Sequence, residues 1–159
     1  MNAIDAVNTL MTALQSGDME LAATTLADDF VMSGFAPKQL NKNEFLVTQS
    51  NLLAAMPDLS FNIDKQDEQN EADGVVRVEL EITGTHLYQL ALPVLGVKPI
   101  EPTGLAVTLA QAKTTYHVTS DGKVARMEMQ SVAGGGLEGL LQQVGAELPL
   151  TPRGVNFND

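Results

Sequence analysis

His86 is the side chain of this sequence best suited to acid–base chemistry. An imidazole titrates near neutrality, so His86 could take a proton from an activated methylene group or orient a carbonyl. It follows residues 76–82, where Val, Leu and Ile alternate with polar residues as in a half-buried strand, and the same alternation points His86 toward the core. A second interpretation stays open, in which the ring only satisfies backbone groups of the loop that follows.

Two further polar residues could contact a ligand. Residues 107–119 alternate so that Thr114 and Tyr116 face the core, while Lys113 and His117 face outward. The hydroxyl groups of Thr114 and Tyr116 could each hydrogen-bond a ligand oxygen. Both residue types are also common in strands for packing alone, so the sequence leaves their roles open.

Helical and strand patterns surround these positions. Helices are predicted for residues 3–16 and 19–27, for a segment from Asn41 to Pro57, and for residues 137–148. Strands are predicted for residues 30–33, 59–63, 76–82, 107–119 and 124–132, with turns at Asp73-Gly74 and Asp121-Gly122. Helices followed by mainly antiparallel strands indicate a single α+β domain over residues 1–148, and residues 149–159 are predicted to form a polar tail.

A long apolar loop separates two of the strands. Residues 87–107 are rich in leucine and valine but contain three prolines, which break any helix or central strand. A structureless stretch of this length is uncommon inside a compact domain and is usually functional. We therefore predict that the segment around Leu92–Val97 covers the mouth of an apolar pocket.

Composition and charge exclude several classes of protein. The 159 residues include no cysteine and two histidines, so neither a disulfide nor a thiolate or His-rich metal site is expected. The net charge of −11 repels phosphate and anionic lipid, which argues against nucleic-acid and membrane partners. We find no basic, apolar leader and no apolar run near the ~20 residues of a membrane span, which predicts a cytoplasmic protein.

Several short motifs, taken in their order, resemble the SnoaL-like polyketide cyclases of the nuclear transport factor 2-like superfamily. The motifs are Asp28-Asp29-Phe30-Val31, Gly84-Thr85-His86, Pro102-Thr103-Gly104, Asp121-Gly122-Lys123-Val124 and Leu140-Leu141-Gln142-Gln143-Val144-Gly145. The resemblance implies a cone, in which a strongly curved antiparallel sheet wraps against three N-terminal helices and encloses an apolar pocket. It implies a homodimer through the outer sheet face. It also implies ring closure by aldol condensation without cofactor or metal, with an acidic side chain in the pocket.

The expected position of that acid departs from the family pattern. On the last strand, alternation points Met127 and Met129 inward and places Val124, Arg126 and Glu128 on the outer face. A thioether neither takes up nor releases a proton at neutral pH. Glu128 would turn inward only if a bulge inverted the strand.

Three functions follow as alternatives. The first is a cofactor-free cyclase or isomerase that acts on a small hydrophobic carbonyl compound, with His86 as base or orienting group. The second is a non-catalytic binder of a hydrophobic small molecule. The third is a dimeric interaction module whose pocket is vestigial. The predicted catalytic residue is His86, and the predicted ligand-binding residues are Leu80, Ile82, Leu92, Leu95, Thr114, Tyr116, Met127 and Met129.

Overall fold

Helices and strands follow one another in the predicted α+β order. The computed structural model describes residues 3–67 and 74–145. The helices are α1 (Ala3–Ser16), α2 (Met19–Thr25), α3 (Lys42–Ala55) and α4 (Gly136–Gln143). The strands are β1 (Leu26–Ser33), β2 (Leu40–Asn41), β3 (Ser60–Asp67), β4 (Val75–Thr85), β5 (Leu90–Leu92), β6 (Val97–Ile100), β7 (Ala106–Thr108), β8 (Ala112–Val118) and β9 (Val124–Met129). None of the helices in these ranges is long and apolar enough to cross a membrane.

Seven of the strands form one curled sheet. Its order is β2-β1-β9-β8-β4-β3, and β7 lies beside the end of β4. All neighbouring strands run antiparallel except β1 and β9, which run parallel. Helix α1 packs on β3, β4 and β8, while α3 packs on β1 and β2. The apolar side chains of helices and sheet meet in a single core.

The helix starts are those that the sequence predicts. Asp18 caps α2, since its carboxylate accepts the Leu21 backbone N–H at 3.1 Å. A capping box starts α3: the Asn41 side chain accepts the Glu44 N–H at 2.9 Å, and the Glu44 carboxylate accepts the Asn41 N–H at 3.0 Å. These bonds satisfy backbone donors that have no partner within the helix.

The boundary between α2 and β1 differs from the prediction. Helix α2 ends at Thr25 rather than Ala27, and β1 begins at Leu26 rather than Phe30. Leu26 is extended, and it pairs with Val124 of β9. A strand partner distant in sequence therefore overrides the local helical pattern.

The predicted structureless loop contains a small hairpin. Strands β5 and β6 pair across a turn that begins with a short 3-10 helix, Pro93–Leu95. Pro99 is tolerated in β6 because a two-stranded sheet leaves each strand an open edge. Strand β5 packs against α3 and buries Leu92. The prediction that residues 87–107 lack regular structure is therefore wrong.

The predicted strand over residues 107–119 is two strands. Strand β7 pairs with Thr83–Thr85 of β4, and β8 pairs with Val75–Leu80. Between them, the Leu109 N–H donates to the Ile82 carbonyl at 2.9 Å, and the next residue bonds to a loop outside the sheet. The alternation within β8 is nevertheless as predicted, because Thr114 and Tyr116 are both buried.

A bulge changes the start of β9. His117 pairs with Arg126 but Val118 pairs with Val124, so Ala125 is an extra residue in the ladder. Val124 is consequently buried, and its predicted outward orientation is wrong.

Beyond the bulge, the predicted faces of β9 are correct. Met127 and Met129 are buried, whereas Glu128 lies on the outer face. There the Glu128 carboxylate contacts the His117 ring at 3.1 Å and the Arg126 guanidinium at 3.5 Å. The bulge therefore does not bring Glu128 into the core.

Three predictions fall wholly or partly outside the described ranges. They are the turn at Asp73, residues 146–148 of the last helix, and the polar tail at residues 149–159. Within the described residues the last helix is shorter than predicted, because α4 ends at Gln143 and Val144 and Gly145 form a turn. The single-domain boundary at residue 148 also stays a prediction.

Gly34, which follows β1, is held where no other residue fits. Its φ is +96°, and a Cβ added there would lie 1.7 Å from the Met129 carbonyl oxygen. We expect Gly34→Ala to lower the free energy of unfolding in urea by more than about 2 kcal/mol, because the clash adds to the cost of a left-handed backbone.

Gly104→Ala is the matched control for this substitution. Gly104 has a φ of +72°, but nothing lies within 4 Å of an added Cβ. The free energy of unfolding of Gly104→Ala should fall only by the cost of a left-handed backbone, about 1–2 kcal/mol. Equal losses in the two variants would contradict the steric explanation.

Candidate functional site

A narrow apolar cavity lies between the sheet and the helices α1, α3 and α4. Its volume is about 20 Å³, which is room for roughly one water molecule. The helices, the inner face of the sheet and the segments joining them all contribute to its wall. The lining residues are Met11, Leu14, Met32, Phe35, Phe45, Gln49, Leu52, Met56, Leu59, Phe61, Leu80, Ile82, Thr83, Gly84, Val107, Leu109, Met127, Met129 and Leu140.

The methionines of this protein are concentrated in the wall of this cavity. Five of the seven methionines in the sequence line it, namely Met11, Met32, Met56, Met127 and Met129. A methionine side chain is unbranched and has three rotatable bonds, so it fills irregular space and changes shape at low cost. The cavity is small, but its wall is unusually adaptable.

Among the described residues, the lining holds no ionisable side chain and has two polar ones, Gln49 and Thr83. The Thr83 hydroxyl accepts a hydrogen bond from the Asn62 side chain at 3.3 Å, on the neighbouring strand. Gln49 is 7% exposed, and its Oε1 has no hydrogen-bond partner among the described residues. The largely apolar lining therefore includes one residue whose buried polar atom has no partner among the described residues.

Four of the predicted ligand-binding residues meet in this lining. They are Leu80, Ile82, Met127 and Met129, and the alternation of β4 and β9 brings them there. Leu92 and Leu95 lie elsewhere, because the β5–β6 hairpin packs on α3 instead of closing the cavity. Thr114 is fully buried with an unpartnered hydroxyl, but it too lies outside the lining.

Tyr116 lies behind the cavity wall. Its hydroxyl donates to the Met11 sulfur at 3.2 Å, so Met11 stands between the phenol and the cavity. Burial raises the pKa of the Tyr116 phenol far above its usual range. Tyr116 thus remains neutral and supports a lining methionine from behind.

His86 is buried as predicted, but it is not among the lining residues. Its Nδ1 hydrogen-bonds the Thr103 hydroxyl at 3.0 Å, while its Nε2 has no partner among the described residues. Its backbone N–H donates to Leu105 at 2.9 Å, and its carbonyl accepts from Gly104 at 2.8 Å. His86 therefore ties the start of the long loop to its end, and its catalytic role stays a prediction.

Gln49 lies within the helix predicted from Asn41 to Pro57, but it was not among the predicted ligand-binding residues. A polar residue at a position between Phe45 and Leu52, both buried, is the signal that could have found it. Met11, Met32 and Met56 were not predicted as lining residues either, since their helices and strands come together only in the folded chain.

Asp58 holds one end of the cavity wall in place. Its carboxylate accepts both the backbone N–H and the hydroxyl of Thr85, each at 2.7 Å. These bonds lower the pKa of Asp58 below its ordinary value, and the bond from the Thr85 hydroxyl has a larger effect than the bond from the backbone N–H. The bonds fasten the turn after α3 to the end of β4, next to lining residues Met56 and Gly84.

Among residues 3–67 and 74–145, no group of three His, Cys, Asp or Glu side chains is arranged to hold a metal ion.

Comparison with known families identifies the class of this protein. The SnoaL-like domain family matches residues 7–127, and the chain belongs to that family. No curated protein sequence matches it significantly. The fold is the cone-shaped nuclear transport factor 2-like fold that the sequence predicted, as its structural neighbours show.

Three solved structures illustrate the likeness of fold. IdmH from Streptomyces antibioticus, a candidate polyketide cyclase, is 20% identical with a TM-score of 0.67, covering 92% of this chain and all of its own. An LEH-like epoxide hydrolase from Mycobacterium tuberculosis is 19% identical with a TM-score of 0.61, covering 90% and 92%. Another Mycobacterium tuberculosis protein, in complex with estradiol-17beta-hemisuccinate, is 16% identical with a TM-score of 0.61, covering 81% and 93%.

The Asp58 contacts predict a pH dependence of stability. Because the folded pKa lies below the ordinary value of 3.8, the contribution of Asp58 is complete above that value and is lost as the pH falls through the folded pKa. We expect Asp58→Asn to have a lower free energy of unfolding in urea than wild type at neutral pH. The difference between the two should become smaller below about pH 4.

Asp29→Asn is the control, since Asp29 is an exposed carboxylate on β1. Its stability should follow that of wild type at every pH. The role assigned to the ionised carboxylate would be refuted if the difference in free energy of unfolding between Asp58→Asn and wild type stayed constant from neutral to acidic pH.

Proposed function

We propose that this protein binds a small, largely apolar molecule in the methionine-lined cavity without transforming it. The observation that carries the proposal is the chemistry of the lining, in which apolar side chains predominate and none of the described residues is ionisable. Apolar pockets with few, well-placed polar groups are typical of small-molecule sites.

An aldol cyclase needs a group that takes a proton from carbon and one that supplies a proton to oxygen. The lining offers neither, because Met127 and Met129 occupy the strand positions where the family resemblance implies an acid. His86 and Tyr116 lie outside the lining, and Tyr116 is held in its neutral form. The site therefore supports binding better than the predicted cyclase or isomerase chemistry.

The size of the cavity sets the manner of binding. A cavity that admits benzene has a volume on the order of 150 Å³, far above the 20 Å³ present here. A ligand must therefore displace side chains, and the five methionines can rotate away at low cost. The complex of a protein of this fold with estradiol-17beta-hemisuccinate supports the idea that the fold can accommodate an apolar ligand.

A titration with toluene, followed by NMR of protein labelled at the methionine methyl carbons, tests the proposal. We expect saturable shifts of the methyl signals of the five lining methionines, because the probe displaces them directly. Met19 provides an internal control, since it lies on α2 outside the lining and its signal should stay in place. Absence of any saturable shift would overturn the proposal.

Met129→Ala gives an independent check. Removing this side chain enlarges the cavity and should tighten toluene binding, although it should lower the free energy of unfolding by about 2–5 kcal/mol. Val118→Ala, at a partly buried position outside the lining, should leave toluene affinity unchanged.

A second candidate is an interaction module that dimerises through the outer sheet face. The small cavity favours it, since side chains of the protein fill most of the interior. The outer face of β8 and β9 carries both signs of charge, including Lys113, Arg126 and Glu128. In a dimer with two-fold symmetry, the same surface of both copies forms the interface. Positive groups of one copy could then pair with negative groups of the other.

Sedimentation equilibrium tests the second candidate. We expect a dimer for wild type and a shift toward monomer for Arg126→Glu, which would place like charges together at the interface. Lys98→Glu, an exposed site on the β5–β6 hairpin, makes the same charge change away from this face and should leave the dimer intact. A monomeric wild type would rule out the dimer.

A further inference from the structure

Gln49 is an isolated amide in an apolar wall. It lies on α3 between the turns that carry Phe45 and Leu52, is 7% exposed, and lines the cavity. Its Oε1 receives no hydrogen bond from any described residue. A buried acceptor without a partner destabilises the fold, whereas a leucine at this position would carry no such cost.

The cavity distinguishes Gln49 from the other unsatisfied polar groups. Thr48, His86 and Thr114 also carry a buried side-chain atom without a partner among the described residues, but none of them lines the cavity. Gln49 is therefore the described residue that both lines the cavity and carries a buried side-chain atom without a partner.

The chemistry of the missing partner follows from its surroundings. A cationic donor is excluded because the lining holds no carboxylate to offset the loss of its hydration. A neutral hydroxyl donates one hydrogen bond and also accepts, so it is satisfied whether the carboxamide presents its oxygen or its NH₂ group. A ketone or an ether lacks the donor that Oε1 requires.

We infer that the ligand of this site is a neutral, otherwise apolar alcohol or phenol, whose hydroxyl donates to Gln49 Oε1. Gln49 is then the residue that determines specificity, and the methionines adapt to the apolar body of the ligand. This inference rests on the proposed binding function and names the class of ligand.

Phenol and toluene form a matched pair of probes, because they differ by a hydroxyl in place of a methyl group. In the methionine-methyl titration, we expect wild type to bind phenol about tenfold more tightly than toluene, although toluene is the more hydrophobic. The side-chain NH₂ signals of Gln49 should shift farther with phenol than with toluene, because both rings shift nearby signals but only phenol hydrogen-bonds the amide, which tests the contact without any substitution.

Gln49→Met removes the amide while keeping a similar length and should abolish or reverse the preference for phenol. Thr48→Val is the matched control, since it removes a buried hydroxyl without a partner among the described residues at the neighbouring position of α3, outside the lining. That variant should keep the wild-type preference.

The possible outcomes separate the two proposals. If wild type binds both probes without a preference for phenol, or if the preference survives Gln49→Met, the inference about Gln49 is wrong while the binding function stands. If neither probe binds wild type, the binding function is overturned and the inference falls with it. A preference for phenol that requires Gln49 supports both.

Discussion

The side-chain alternation of β4 is the constraint on which the rest of the structure depends. This strand pairs with β3 along one edge and with β8 and β7 along the other, so three strands take their register from it. A shift of one residue in the register of this strand would turn polar or charged neighbours of Leu80 and Ile82 toward the core. The apolar face of the strand would then point away from the helices. The cavity exists because that register holds its inner wall against α1 and α3.

The lining of the cavity combines adaptable apolar side chains with one polar side chain that lacks a hydrogen-bond partner among the described residues. Methionines from α1, β1, β9 and the segment after α3 converge on it, so its shape can change without breaking strand pairing. Gln49, in contrast, contributes a buried polar atom that has no partner among the described residues. Affinity would then come from apolar contact and specificity from one hydrogen bond, a division typical of small-molecule pockets.

The side chains that could take part in acid–base chemistry stabilise the fold and do not line the cavity. Asp58 fastens the end of β4, and Tyr116 supports Met11. His86 and Thr103 join the two ends of the segment that carries the β5–β6 hairpin. Asp58, Tyr116, His86 and Thr103 are not lining residues, so their contacts stabilise the fold without placing an acidic group in the described lining.

The sequence by itself determined the elements whose signals are local. The helix over residues 3–16, the helix that begins at Asn41 and the alternation of β4 and β8 each depend on residues a few positions apart, and all were predicted correctly. The order of short motifs also predicted the SnoaL-like family. Tertiary structure alone decided the bulge at Ala125, the early start of β1 at Leu26 and the placement of His86 outside the cavity. These features depend on pairing and packing between segments distant in the chain, and no local periodicity records which residues will meet.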